Sequence, residues 1–204
     1  MTGKNARFCK ADKEEYIKEV AGLIKELLTS VGEDPGRDGL KETPERVAKM
    51  YRETLKGYCE EEKPKITLFS NDGKYGGMVM DEGYFYSFCE HHMVPFFGRV
   101  FIAYIPDKKI IGISKLSRVV DHYAARLQVQ EKLTQQIADY LNEVLQPKGV
   151  AVTMSARHLC REMRGIKKRN AVMTTTALVG AFRDDAKTRT EFLDVLKIRS
   201  HAGE

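Results

Sequence analysis

The residues best equipped for chemistry fall in two short clusters, Cys89-Glu90-His91-His92 and, far downstream, His158-Leu159-Cys160. Cys89 and His92 stand three residues apart, and with the remote Cys160 they form a zinc-type donor set, because Zn²⁺ favours sulfur and nitrogen. Three protein ligands leave a fourth tetrahedral position for water, the arrangement of catalytic zinc. The competing reading is a closed structural site with His91 or His158 as the fourth ligand. Structural zinc usually takes paired short spacings on both sides, and the second cluster offers one cysteine. His91 and His158 each lie within two residues of a proposed ligand. They are the candidates for proton transfer, since imidazole exchanges a proton near neutral pH. If His158 and Cys160 share a strand, their i,i+2 spacing points both to one face.

A second kind of chemistry is anion binding. Ser114-Lys115-Leu116-Ser117-Arg118 opens a helix, and cations there oppose the macrodipole. Free amides, a hydroxyl and two cations at a helix start suit a phosphate. The plainer reading keeps Ser114 as an N-cap and leaves Lys115 and Arg118 solvated. Arg164 and the run Lys167-Lys168-Arg169 could join the cradle, although such a run is more often a solvated loop. Glu131 opens another helix. An acidic residue there complements the dipole, or its carboxylate accepts two hydrogens from a guanine-type edge; the pattern alone does not choose. His122, in mid-helix, and His201, near the end, receive no role.

The elements that must position these groups follow from periodicity. Asp12 and Glu15 can cap a first helix whose stripe is Tyr16, Ile17, Val20, Leu23, Ile24, Leu27 and Leu28. Thr43-Pro44 reads as N-cap and first residue of a second helix running to Gly57. Glu60 to Pro64 is a polar joint, taken as the boundary between an N-terminal helical segment, 1–59, and a main domain, 60–204. Beyond it, Lys65 to Phe69 is a short strand, residues 78–88 and 97–105 are extended, and Ile110 to Ile113 is a brief strand. Val100, Ile102 and Tyr104 alternate against Arg99, Phe101 and Ala103. Two helices follow, carrying Leu116, Val119, Val120, Tyr123 and Leu127, then Leu133, Ile137, Leu141, Val144 and Leu145. Val150, Val152 and Met154 lead into the second metal cluster, Val172 to Phe182 is a Thr-rich strand, and Thr188 with Glu191 can box a last helix. The expectation is an α+β domain in which helices cover one sheet face.

Composition bounds the rest. The chain has 204 residues, 42% hydrophobic and 31% charged, which suits a soluble globular protein with one sizeable core. A net charge of +5 fits an anionic partner and also many proteins that have none. Met1 to Arg7 lacks an apolar signal core, and no stretch approaches membrane-spanning length. A cytoplasmic address is expected, with thiols kept reduced, and Cys9 and Cys59 read as bystanders.

In six blocks the chain resembles GTP cyclohydrolase I, the zinc enzyme family that opens pteridine biosynthesis. The blocks are Thr43-Pro44-Glu45-Arg46-Val47-Ala48-Lys49-Met50-Tyr51, Cys89-Glu90-His91-His92, Gly112 to Arg118, Gln128-Val129-Gln130-Glu131, His158-Leu159-Cys160 and Met163-Arg164-Gly165. The resemblance implies that Cys89, His92 and Cys160 hold Zn²⁺, and that water acidified there attacks C8 of GTP. His91 and His158 would move protons while the imidazole ring opens and formate leaves. Rearrangement and closure would then give 7,8-dihydroneopterin triphosphate. Glu131 would anchor guanine; Lys115, Arg118, Arg164 and Lys49 would hold the triphosphate, with Ser114 against ribose or phosphate. The fold implied is the tunnelling fold, an antiparallel four-stranded sheet with a helix pair on one face, whose subunits join into a barrel. The partners implied are GTP and further copies of the chain, in a decamer of two pentamers, with neither nucleic acid nor membrane. No long N-terminal extension suggests a regulatory segment.

Two rivals come from other classes: a zinc-stabilised nucleotide- or RNA-binding module without catalysis, and a different zinc hydrolase. The deaminase H-x-E with P-C-x-x-C and the protease H-E-x-x-H are both absent, as is a P-loop.

Overall fold

The computed structural model describes Cys9 and residues 13–201. It divides into two compact units, one ending at Lys63 and the other beginning at Pro64.

In the first unit, α1 (Lys13–Ser30) packs on α2 (Thr43–Thr54). Asp12, expected to cap α1, lies outside the described residues. The apolar stripe of α1 is only partly covered: none of its residues is buried, and Leu23 and Leu27 stay more than half exposed. Helix α2 begins one residue early, with Glu42 at the N-cap, Thr43 inside the helix and Pro44 in its first turn. Pro44 fits there because its missing N–H would lack an intrahelical acceptor anyway. Cys9 and Cys59 form a disulfide. This corrects the bystander reading, which had no way to see that the fold returns Cys59 to Cys9 across fifty residues.

The second unit is α+β. Strands β1 (Leu68–Ser70) and β4 (Lys109–Ile111) form a small antiparallel pair. The main sheet has the order β5-β2-β3-β6-β7, with β2 (Val79–Cys89), β3 (Pro95–Ile105), β5 (Leu127–Gln128), β6 (Gly149–His158) and β7 (Val172–Gly180). Four strands are antiparallel, as expected, while β5 adds a fifth, parallel to the end of β2. Two residues carry no periodicity, so β5 was invisible to pattern.

Helices α3 (Ile113–Ala124) and α4 (Gln130–Leu145) cover one face. Their Leu116, Val119, Leu133, Ile137 and Leu141 meet Phe85, Phe96, Val100, Ile102 and Met154. Each such side chain contributes about 1.5–3 kcal/mol when fully buried, which docks both helices firmly. The alternation of β3 is as read, with Val100, Ile102 and Tyr104 on this face. A short helical turn, α5 (Leu159–Glu162), follows β6. After β7, α6 (Ala181–Asp184) and α7 (Ala186–His201) place Phe182 and Phe192 on Ala103 and Ala151, on the opposite face. The helices therefore do not keep to one face. Asp185 caps α7, accepting the backbone N–H of Thr188 at 2.9 Å and that of Lys187 at 3.3 Å. The box expected from Thr188 is thus displaced by the stronger acceptor three residues before it.

Candidate active site

The register of the central strands assembles the site. Phe88 pairs with Pro95 and Phe96 with His158, so the ends of β2, β3 and β6 lie side by side. The turn between β2 and β3 folds back tightly, with Met93 N–H donating to Cys89 C=O at 2.8 Å and Met93 at φ 51°. Glu90 N–H donates to Gln128 C=O at 2.9 Å, which ties this turn to β5.

At that end the donor atoms of Cys89, His92 and Cys160 all lie within 4.8 Å of one another. Cys89 is buried, Cys160 partly so, and His92 is exposed. Neither His91 nor His158 belongs to this group, although His91 Nδ1 is 3.7 Å from Cys89 Sγ. Burial, and next the neighbouring Cys89 thiol, push the Cys160 thiol up. Two adjacent sulfurs resist a shared negative charge, and a dication between them reverses that penalty. The donor set therefore fits zinc.

Cys160 sits on the α5 turn and not on β6, so the single-strand argument for His158 and Cys160 does not apply. The turn is held by Arg157, whose Nε and Nη2 donate to the two carboxylate oxygens of Glu162 at 2.9 and 2.6 Å. Sequence reading missed this pair. Its signal was faint: a cation and an acid five residues apart across a strand end.

His158 closes β6 with its ring stacked on Phe96, centroids 4.7 Å apart and planes within 3°. Its Nε2 lies 2.8 Å from Gln130 Oε1. Burial pushes its pKa down, partly opposed by Glu131 and reinforced by Arg161. Glu131, exposed in the first turn of α4, is thereby close enough for its charge to act on this imidazole. Arg164 Nη1 reaches His92 Nε2 at 3.0 Å. His122 is a satisfied core histidine, 5% exposed and 2.8 Å from Arg126 Nη2.

The expected cation cradle lies elsewhere. Gly112, not Ser114, is the N-cap residue of α3, and the first turn holds no acid. Ser114 and Arg118 are exposed and Lys115 half-buried, and among the described residues none of the three makes an ion pair. Helix α3 follows β4, which Tyr104 Oη touches at Ile111 N–H from the far end of β3. Its other end returns to the metal side, where Ser87 Oγ donates to Ala124 C=O at 2.7 Å. Twelve residues rise about 18 Å, so Ser114 and Lys115 stand a helix length from their own metal cluster. Lys49 belongs to the first unit, paired with Glu45 at 2.5 Å.

Comparison with known proteins follows the same residues. Residues 20–197 match the family model described as GTP cyclohydrolase I. The chain belongs to the GTP cyclohydrolase I family. It is 51% identical over 187 residues to "GTP cyclohydrolase 1" of Aquifex aeolicus, covering 91% of this chain and 97% of that one. It is 48% identical over 180 residues to the protein of that name from Leptospira biflexa, covering 88% and 98% respectively. Among solved structures, an archaeosine synthase QueF-like protein in the apo form aligns with half of this chain at 19% identity and a TM-score of 0.44. Family membership covers every residue singled out above, from Lys49 to Arg164.

Proposed function

We propose that this chain is a GTP cyclohydrolase I: it opens the imidazole ring of GTP hydrolytically at C8, releases formate, and recloses the product to 7,8-dihydroneopterin triphosphate. The observation that carries the reading is the cluster of Cys89, His92 and Cys160, whose donor atoms lie within 4.8 Å of one another, in a chain of this family. When bound, zinc would supply the Lewis acidity that makes a water nucleophilic near neutral pH. Cys89, His92 and Cys160 hold the ion. His158, stacked on Phe96, accepts a proton at one step and returns it at another; His91, on the exposed turn, serves the same pocket from the solvent side. Glu131 takes the guanine edge, its carboxylate accepting from two N–H groups. Arg164, already at His92, binds phosphate at the metal side.

Ser114 and Lys115, with Arg118 one turn further along α3, complete the triphosphate site from a second copy, because in one chain the start of that helix lies far from the metal side. Open sheet edges support such an assembly. Strand β7 pairs only with β6 among the described residues, and β2 is paired on its outer side only at Phe88 and Cys89. Copies joined edge to edge give the barrel of the tunnelling fold, and two such rings give a decamer. Lys49 is a further candidate for the phosphates, as the family resemblance implies. A cytoplasmic site of action suits Cys89 and Cys160, which must stay reduced to hold zinc, while the Cys9–Cys59 disulfide runs against a reducing address. No helix among the described residues is long and apolar enough to cross a membrane.

The test is direct. Zinc-loaded protein incubated with GTP should release formate and develop a pterin chromophore in equal amounts. Binding of GTP without either product would leave the zinc-stabilised binding module standing instead.

A further inference from the structure

We infer that Gln130 is a positioning residue for the reaction, holding the His158 ring with its hydrogen on Nε2 so that Nδ1 alone exchanges protons. The inference rests on the role of His158 proposed above. Gln130 opens α4 and is 1% exposed. Its Nε2 lies 3.0 Å from Met154 C=O on β6, and 3.1 Å from both Met173 C=O and Thr175 Oγ1 on β7. Main-chain carbonyls only accept, so both amide hydrogens are committed to the sheet. Turning the amide round would set its oxygen against two carbonyl oxygens. The same backbone is pinned by Thr134, whose Oγ1 donates to Gln130 C=O at 2.7 Å while Thr175 Oγ1 lies 2.6 Å away.

Gln130 Oε1 is therefore the atom that faces His158 Nε2, at 2.8 Å. An amide oxygen has no hydrogen to give, so the imidazole must donate. In a neutral ring a hydrogen on Nε2 leaves the lone pair on Nδ1. The stack on Phe96 restricts the flip that would exchange the two nitrogens. A proton taken from substrate or water thus enters at Nδ1 and leaves from Nδ1, while the Nε2 hydrogen stays on Gln130 throughout. Within the block Gln128-Val129-Gln130-Glu131 the sequence reading gave a role to Glu131 alone; the burial of Gln130 against β6 and β7 is what singles it out.

The experiment uses full-length, zinc-loaded protein with ¹⁵N-labelled histidine, the His158 signals being assigned by their loss in His158→Ala. The wild-type ring should show a protonated Nε2 and a bare Nδ1. In Gln130→Met the tautomer should become mixed and kcat should fall about 10–100-fold, the range seen when partners orienting histidines at metal centres are removed. KM for GTP and zinc content should hold. Thr153→Val removes the Thr153–Thr176 hydroxyl contact between the same two strands without touching Gln130, and should keep both tautomer and kcat. The inference is overturned by a wild-type ring protonated on Nδ1, by Gln130→Met with unchanged tautomer and turnover, or by an equal loss in Thr153→Val. If Gln130→Met does not fold, the wild-type spectrum decides alone. Failure to turn over GTP at all would sink the proposed function and leave the tautomer result in place.

Discussion

The two ends of the main sheet make opposite demands on the chain. At the metal end, β2, β3 and β6 terminate together, and each group there has a neighbour: Cys89 near Cys160, His158 on Gln130, His92 by Arg164. At the other end, α3 begins with a hydroxyl and two cations, no acid in its first turn, and no ion pair among the described residues. A helix start that gathers cations works against its own dipole, and only an anion from outside offsets that cost. In the proposed assembly the first end is complete within one chain, and the second is completed by another copy.

The metal end should break most completely. Cys89→Ala, His92→Ala and Cys160→Ala should each lose zinc and essentially all turnover, because three ligands leave little redundancy; metal content by atomic emission checks this. His158→Ala should instead keep zinc and lose about 10²–10⁴-fold in turnover, the usual contribution of proton transfer. Loss of zinc in step with activity in His158→Ala would make His158 a fourth ligand and close the site.

The cation end should give a smaller and different loss. Arg118→Ala removes charge-assisted hydrogen bonds worth roughly 1.5–3 kcal/mol, so GTP should bind more weakly while zinc stays and guanosine is little affected. Calorimetry with both ligands separates this from misfolding. Subunit mixing sharpens it further. Cys89→Ala and Arg118→Ala protein, each impaired alone, should regain activity when unfolded and reassembled together, since some neighbouring pairs then combine an intact metal end with an intact cradle. No recovery in verified hybrids would mean that the two ends do not meet across copies.

How much of this was legible beforehand depends on distance along the chain. Cys89 and His92 share one turn, so their spacing spoke directly to zinc. Cys160 could be enlisted by residue type, but its seat on a helical turn could not be read from the alternation of β6. Strand β5 is two residues long and silent in any pattern. The Cys9–Cys59 bond and the Gln130–His158 contact depend on which elements the fold brings back together. The α3 cations were read correctly as an anomaly, yet their distance from the metal needed the register of β2 and β3. Local chemistry was visible, and long-range pairing was not.

The Arg157–Glu162 pair tests whether the metal end is rigid as well as complete. It spans the turn carrying Cys160, and the Glu162 side chain is only 7% exposed. Arg157→Met keeps the aliphatic stem and removes the two donors. Cys160 should then wander, and zinc should exchange faster with a chelator, by about tenfold or less, with GTP affinity unchanged. An exchange rate equal to wild type would mean that β6 alone positions the thiolate.

The smallest effect belongs to the far end, at the cap of α7. Asp185 takes the Thr188 hydroxyl and the backbone N–H groups of Thr188 and Lys187, and these bonds hold its carboxyl below the usual aspartate range. A depressed carboxyl contributes stability above its unfolded pKa and loses it as pH falls through the lower folded value. The cap is therefore at full strength at neutral pH and weakens only below about pH 4, the ordinary aspartate value. Asp185→Ala should speed amide exchange across the first turn of α7, with zinc content and turnover intact. The gap between wild type and variant should stay constant down to about pH 4 and close below it. A gap already closing near pH 6 would show that a histidine, and not this carboxylate, governs the far end of the sheet.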